Sequence, residues 1–385
     1  MTLPFGDGIA WSPVKRGHSR AFCWPGEVLR VFGRSRNLVG LDIGDSSIKV
    51  VELKEQGKGQ GYQLVRLGWE PLSSEAIVDG QIMDSQLVTE TIQRLFQRCK
   101  IKTSTPVATA LCGHHVIVKR ISLPVMSDAE LAESIHWEAE QYIPFDIDDV
   151  NLDYQILEGS SLSGEGNMDV LLAAAKRDKI NDYIGVVNQA GLNPQAVDIA
   201  SFAMQNAFEA NYEFESGQVV ALVDIGSAVS SISVLHGGSS VYWRDINIGG
   251  NQYTDAIQKE LNLSAEQAEQ LKRGEEIDGI PYERVQPTLS AVTDDIGTEI
   301  QKTLDFFKQI SATDQALDRL YLTGGTAQIV HMKESLAERL GTQVELFNPF
   351  RKIPPASKEA SAELINEMMP TASVAVGLAL RKPGD

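Results

Sequence analysis

Several features that would assign a chain to a class outright are scarce in these 385 residues. There are three cysteines, Cys23, Cys99 and Cys112. An odd number without CxxC spacing argues against a disulfide framework or a zinc site and fits a reducing cytosol, with the thiols buried or idle. Long apolar runs are missing too: the stretch SVAVGLAL near the end falls well short of the roughly 20 residues that span a bilayer. Bases are outnumbered, 34 Lys and Arg against 52 Asp and Glu, for a formal charge of −18. A general attraction to nucleic acid or anionic lipid is therefore excluded without a local basic patch. Any phosphate ligand must be held by specific donors. The length suggests two domains, or two halves of a split one.

Residues 1–37 differ from the rest. They carry Lys15, Arg16, Arg20, Arg30, Arg34 and Arg36 against Asp7 and Glu27, with Trp11 and Trp24 among prolines and glycines. No apolar core follows the bases, so this is not an export signal. The segment reads as a disordered basic extension, with a basic aromatic arm touching anionic lipid as the alternative.

From Leu38 the pattern becomes regular. LVGLDIG, SIKVVELK and YQLVRLGW alternate as strands, and the GxGxG string of Gly57, Gly59 and Gly61 joins two of them as a hairpin loop, opening no helix as a dinucleotide fingerprint would. SQLVTETIQRLFQRC has helical spacing and PVATALCG reads as a strand. Ser127 and Glu130 form a capping box that opens a helix stopped at Pro144. Its Glu130, Glu133, Glu138 and Glu140 spread around the helix as a solvated face. Residues 168–208 read as strand, helix, strand, helix, with Gly191 closing the first helix and Asn193-Pro194 in the turn. A helix starts just after Gly249-Gly250, residues 264–312 are mainly helical and charged, and LDRLYLTGGTAQI runs from strand through glycine turn to helix. GTQVELFNPF is a late strand, and TASVAVGLALRK a final apolar helix.

One pattern occurs twice. LVGLDIGDSSIKVVEL and VVALVDIGSAVSSISVL each write an apolar run, Asp-Ile-Gly, a Ser-rich stretch and a second apolar run. Taken singly, the aspartate caps a turn and Gly44 or Gly226 supplies a permitted φ > 0. Taken together, they describe two similar halves whose turns point backbone N–H groups and hydroxyls at a polyphosphate, with the aspartates meeting its cation. Gly324-Gly325 adds a place where bare backbone approaches a base or phosphate.

With LTGG following two loops of the DIG type, the chain resembles the actin-like ATPase superfamily. WEAEQYIPFDIDDVNLDYQIL, LLAAAKRDKINDYIGVVNQAGL and VDIGSAVSSISVLHGG are similar to the PilM family of type IV pilus assembly, over about residues 38–382. The resemblance implies an α/β, actin-like (ribonuclease H-like) fold of two lobes around a nucleotide cleft. The first lobe would hold 38–115, 170–215 and the C-terminal helix 371–385. Residues 116–169 would be an FtsA-type inserted subdomain, and 216–370 the second lobe with a helical small subdomain at 264–312. It also implies ATP with magnesium. The first phosphate loop falls on Asp42, Gly44, Ser46, Ser47 and Lys49, the second on Asp224, Gly226 and Ser227, with Gly249 and Gly250 closing over the phosphates. Glu299 and Lys302 would hold ribose and base, and Gly324, Gly325 and Thr326 the adenosine loop. Asp42 and Asp224 would meet Mg²⁺ through water.

Holding ATP and cleaving it need different groups. Fast hydrolases of the superfamily place Glu or Gln in the segment joining the halves, where this chain offers Asp198, which also reads as a helix cap. Asp45 stands where a hydroxyl is common, and an extra carboxylate near phosphate is repulsive unless a cation screens it. The reading is ATP binding with slow or no turnover, in a cytoplasmic scaffold peripheral to the inner membrane. Its partner by resemblance is the N-terminal cytoplasmic tail of PilN, bound extended in a groove, together with other pilus platform proteins. The alternatives are an FtsA-like division or filament protein, and a small-molecule kinase sharing the clamp, which would need a catalytic acid that the sequence does not single out.

Overall fold

Apolar alternation from Leu38 onward builds the first of two matching sheets in a computed structural model that describes residues 38–57, 60–157, 166–215, 217–277, 279–310, 316–356 and 360–383. The basic extension expected for residues 1–37 lies outside the described residues. Strands β1 (Val39–Ile43), β2 (Ser47–Glu55) and β3 (Tyr62–Pro71) form an antiparallel meander. A small hairpin, β4 (Ile77–Val78) and β5 (Gln81–Ile82), precedes α1 (Ser85–Arg98), whose N-terminus is capped by the Asp84 carboxylate accepting from Leu87 N–H. The helix buries Val88, Ile92, Leu95 and Phe96 at helical spacing. Next, β6 (Pro106–Leu111) returns parallel to β1.

Residues 116–176 form a separate three-stranded sheet. It consists of β7 (Val116–Pro124), then α2 (Asp128–Glu140), β8 (Val150–Leu157) and β9 (Asn167–Lys176), in the order β7-β9-β8. The Ser127–Glu130 capping box is present on α2, and Glu130, Glu133 and Glu140 are exposed. Leu131, Ile135 and Ala139 of α2 pack on Ile121, Leu123, Val170 and Leu172. The opposite face of this sheet, through Leu171 and Ala173, meets Ile199 and Phe202.

The chain then completes the first sheet with α3 (Arg177–Gln189), β10 (Asn193–Ile199) and α4 (Ala200–Asn211). Asn193 and Pro194 were read as a turn but open β10, where they pair with Pro106 and Val107. An edge strand tolerates proline because one side of its backbone has no ladder to complete. The second half repeats the plan with β11 (Val219–Ile225), β12 (Ser230–His236), β13 (Ser239–Ile246), α5 (Gly250–Leu261), α6 (Ala265–Lys272), α7 (Gln286–Ile310), β14 (Arg319–Thr323), α8 (Met332–Leu340) and β15 (Gln343–Leu346). The sheets are ordered β3-β2-β1-β6-β10 and β13-β12-β11-β14-β15. In both, a three-stranded meander is extended by two parallel strands. The helix expected directly after LTGG is a short 3₁₀ turn, Gly325–Gln328, and α8 begins only at Met332. A further helix that the sequence reading left out, α9 (Ala362–Met368), precedes α10 (Ser373–Ala379).

The lobes meet at their base. One apolar cluster joins Val51, Leu64 and Leu67 of the first sheet to Val220, Leu222 and Tyr321 of the second. Phe208 of α4 lies at its centre, its ring 4.5 Å from Tyr212 and 4.8 Å from Tyr321. The inner helix α10 is buried along its whole length. A Cβ on Gly377 would collide with the backbone of Ala203 in α4, and one on Gly40 with the backbone of Ala375 in α10. These two glycines let α10 lie directly against β1 and α4. Gly377→Ala should therefore destabilise the protein by about 2–3 kcal/mol, the upper part of the overpacking range, read as a lower urea midpoint with an unchanged m-value. A midpoint equal to that of the parent would show that α10 can shift to make room.

Candidate functional site

The two Asp-Ile-Gly stretches end the central strands of the two lobes in the same way. Gly44 N–H donates to Ser47 O at 3.1 Å, and Gly226 N–H donates to Val229 O at 3.0 Å. Each glycine thus begins a four-residue turn, and neither takes the positive φ expected of it, because the turn closes from the ordinary backbone region. Side chains alternate along a strand, so burying Ile43 and Ile225 in the lobe cores leaves Asp42 and Asp224 pointing the other way. The sheet register completes the match: Asp42 lies opposite Lys49 and Asp224 opposite Ser231.

The two aspartates end the central strands of the two lobes near enough for the charge of Asp42 to bear on Asp224 across the crevice between them. Lys49 Nζ sits 3.1 Å from Asp42 Oδ2, with side-chain exposures of only 13% and 18%, so this lysine is no surface charge. The Asp224 carboxyl is pushed up to about 6, mainly by burial, with the negative charge of Asp42 adding to the rise, Lys49 opposing it, and Asp245 contributing. Asp45 is also raised to about 6 by burial, against a hydrogen bond from the Gly80 backbone. Asp245 was not singled out from the sequence. It stands on β13 across Ser231 from Asp224, in a row Asp224, Ser231, Asp245 across three strands, and nothing in WRDINIGG marks it. Asp42, Asp45, Asp224 and Asp245 therefore converge, with the Lys49 ammonium among them.

Glycines seat the second turn against its neighbours. Gly250 N–H donates to Gly226 O at 2.9 Å and Asn251 N–H to Ser227 O at 2.7 Å. The first amides of α5 are thus spent on fixing the turn. A Cβ on Gly249 would lie 2.6 Å from Ser227 O. Gly324, at φ +96°, has its α-carbon against Ile225 and Asp224, where any side chain would collide. Thr326 Oγ1 donates to Gly226 O at 2.8 Å. By contrast, a Cβ on Gly325 would meet nothing closer than Thr371 Cγ2 at 3.9 Å, so its bare surface is open. Ser46 is exposed and Ser47 and Ser227 are half-buried.

Glu299 and Lys302 are not brought to these turns. They form an i,i+3 ion pair of 2.6 Å on α7 and line an open cavity of about 490 Å³ with Gln252 and Ala256. Those two positions lie on the face of α5 opposite Gly250 and Thr254. A different acid–base pair occupies the Gly250 side. Lys272 of α6, 11% exposed, donates to Gly250 O at 3.3 Å and Thr254 Oγ1 at 3.2 Å while paired with Glu269. The signal available in the sequence was Glu-x-x-Lys in QAEQLKRG, one turn apart like Glu299 and Lys302.

Asp198 is corrected as well. Its Oδ2 lies 2.6 Å from Arg381 Nη2, Oδ1 accepts from Ile199 N–H, and both partners of the ion pair are sealed, at 0% and 4% exposure. No oxygen is left to orient a water. The thiols were expected to be buried or idle; Cys99 is half-buried, but Cys112 is exposed. Its thiol is pushed well up, first by loss of solvent around the sulfur and then by the charges of Asp245, Asp45, Asp42 and Asp224.

The donor set fits a magnesium polyphosphate. The carboxylates outnumber the one ammonium described beside them, that of Lys49, and two turns and an open glycine surround them.

Comparison with known proteins places this geometry. The family described as "Type IV pilus assembly protein PilM" matches residues 40–383. Among solved structures, a PilM-PilN type IV pilus biogenesis complex is 29% identical, with a TM-score of 0.80, over 90% of this chain and 99% of that one. The ethanolamine utilization protein EutJ from Carboxydothermus hydrogenoformans shares the fold at 17% identity and a TM-score of 0.53, over 90% of each chain. The cell division protein FtsA of Streptococcus pneumoniae is 26% identical, over 80% of this chain and 75% of its own length. FtsA of Bacillus subtilis is 25% identical, over 61% of this chain and 57% of its own length. The fold is that of the actin-like ATPases.

A carboxyl raised from 3.8 to about 6 binds more protons folded than unfolded between those values, so folding is favoured as pH falls through that window and is penalised above it. Without ligand at pH 7.5, Asp224→Asn should therefore stabilise the chain, by about 1 kcal/mol once solvent in the crevice is allowed for. The gain should fade by pH 4.5, as followed by thermal melts. A lower melting temperature for the variant at pH 7.5 would contradict the convergence of charge.

Proposed function

The chain belongs to the PilM family of type IV pilus assembly proteins, and from that premise we propose that it is an ATP-binding scaffold of the pilus assembly platform. One observation carries the nucleotide reading: Asp42 and Asp224 stand beside matching turns of the two lobes, the first with Lys49 Nζ at 3.1 Å and the second with the bare backbone of Gly324 packed against it. In this proposal the lobes 38–115 with 170–215 and 371–385, and 216–370, clamp Mg-ATP. Asp42 and Asp224 hold the cation through water. Lys49, Ser46, Ser47 and Ser227 meet the phosphates; Gly44, Gly226, Gly249 and Gly250 let the backbone come close, the N–H groups of Gly44, Gly226 and Gly250 being held within the turns, and Gly324, Gly325 and Thr326 border the adenosine. Glu269 and Lys272 replace Glu299 and Lys302 as the pair at the ribose. Bound magnesium supplies charge neutralisation for the phosphates.

Turnover in this reading is slow or absent. Helix α4 opens with Ala200 and Ser201, neither of which can act as a base, and the nearby carboxylate of Asp198 is locked to Arg381.

The partner is the N-terminal cytoplasmic tail of PilN, docked by the inserted subdomain and the first lobe; this rests on the likeness to the PilM-PilN complex. Among the described residues no helix is long and apolar enough to cross a membrane, so attachment to the inner membrane from the cytoplasm runs through that tail.

Calorimetry should show Mg-ATP binding to the parent and a loss of about 2–3 kcal/mol in Lys49→Ala, the scale of a charge-assisted contact. Phosphate release should stay far below that of a fast ATPase. A synthetic PilN tail peptide should be retained by the parent chain. Absence of Mg-ATP binding in the parent would remove the nucleotide reading, equal ATP affinity in Lys49→Ala would remove that lysine from the phosphates, and failure to retain the peptide would remove the partner.

A further inference from the structure

A hydrogen bond joins the two lobes beside the row that contains Asp224. Asp245 Oδ2, on β13 of the second lobe, accepts from Gly113 N–H at 2.7 Å. Gly113 belongs to the first lobe, in the turn that leads from the end of β6 into β7, the edge strand of the inserted sheet. The carboxylate is steadied from its own side, because Ser231 hydrogen-bonds to it. Gly113 adopts φ +75°, a left-handed conformation that glycine takes without strain. A Cβ there would rest in ordinary contact with Val229 Cγ2 of the second turn, at 3.5 Å, so the two turns lie side by side.

This bond does not stand alone. Two residues earlier on the same strand, Trp243 packs edge-on to Phe202 at 6.0 Å. Both belong to the apolar contact that holds Leu171, Ala173 and half-buried Val118 of the inserted sheet. A continuous path of one charge-assisted hydrogen bond and one apolar contact therefore runs from the row containing Asp224 to the root of the inserted subdomain.

We propose that Asp245 is a positioning residue that latches the crevice shut through Gly113, so that closing the lobes and setting the inserted subdomain on the second lobe are one movement. This deepens the nucleotide reading by naming the group through which an occupied crevice is felt at the partner surface. The latch itself is a property of the chain without ligand.

The test uses the full chain with Asp245→Ala, Asp245→Ser and Asp245→Asn. Asparagine removes the charge but keeps an oxygen acceptor of the same reach. Alanine has no acceptor, and the serine hydroxyl is too short. Hydrogen exchange of the segment around Gly113 should be about tenfold faster in the alanine and serine variants, a factor equivalent to about 1.4 kcal/mol. In the asparagine variant it should stay near the parent rate. Cys112, next to Gly113 and exposed, gives a second readout. Removing the negative charge alone speeds its alkylation in every variant, so opening is read as the excess of alanine over asparagine. Equal exchange and equal alkylation in the alanine and asparagine variants would overturn the latch. Serine serves where alanine does not fold. Adding Mg-ATP should slow Gly113 exchange in the parent and not in the alanine variant. If Mg-ATP changes neither while the ligand-free variants still differ as described, the latch stands and the nucleotide reading fails.

Discussion

Two carboxylates of like sign, held at the ends of opposed central strands, set the terms for the rest of this molecule. Asp42 and Asp224 repel one another in a crevice that also contains Asp45 and Asp245. A fold does not place such groups together for stability, since burial of a charge without a counter-ion is costly. The strain is tolerated because the lobes are joined elsewhere, through the apolar cluster around Phe208 and the buried helix α10. Lobe contact at the base and charge at the mouth divide the work: one fixes the halves, the other creates demand for a cation.

The two rows of side chains are not equivalent, although the strands that carry them are. In the first lobe the neighbour of Asp42 is Lys49, which neutralises it. In the second the neighbour of Asp224 is Ser231, and the next residue across is Asp245. The row of the second lobe therefore carries two carboxylates and no ammonium, while the first lobe keeps the charge of Asp45 beside its ion pair. The matching backbone with unmatched charge gives the crevice a polarity along which a cation and an anionic ligand can be sorted.

Much of the architecture was legible in the sequence because it is written by local patterns. Period-two alternation marked both meanders, Ser127 and Glu130 marked a helix start, and the duplicated Asp-Ile-Gly marked the repeat. The errors came where a tertiary partner decides. Asp198 has the composition of a catalytic acid, and only a residue 183 positions away, Arg381, removes it from the crevice. Glu299-Lys302 and Glu269-Lys272 are the same pattern on neighbouring helices, and which pair reaches Gly250 depends on which face of α5 each helix covers. Asp245 carries no local mark at all, because its meaning lies in the strand beside it and in a backbone amide of the other lobe.

The placement of α10 bears on the order in which the halves assemble. The second sheet is built from a contiguous stretch, β11 to β15, with its helices interspersed. The first cannot complete its core until α10 arrives from more than 300 residues downstream to lie on β1, where Leu38 N–H is also tied to Arg381 O. Contacts of such sequence separation form late, since the chain between them must first be closed. The lobe written second is thus the one able to mature first, and the lobe written first is finished by the end of the polypeptide.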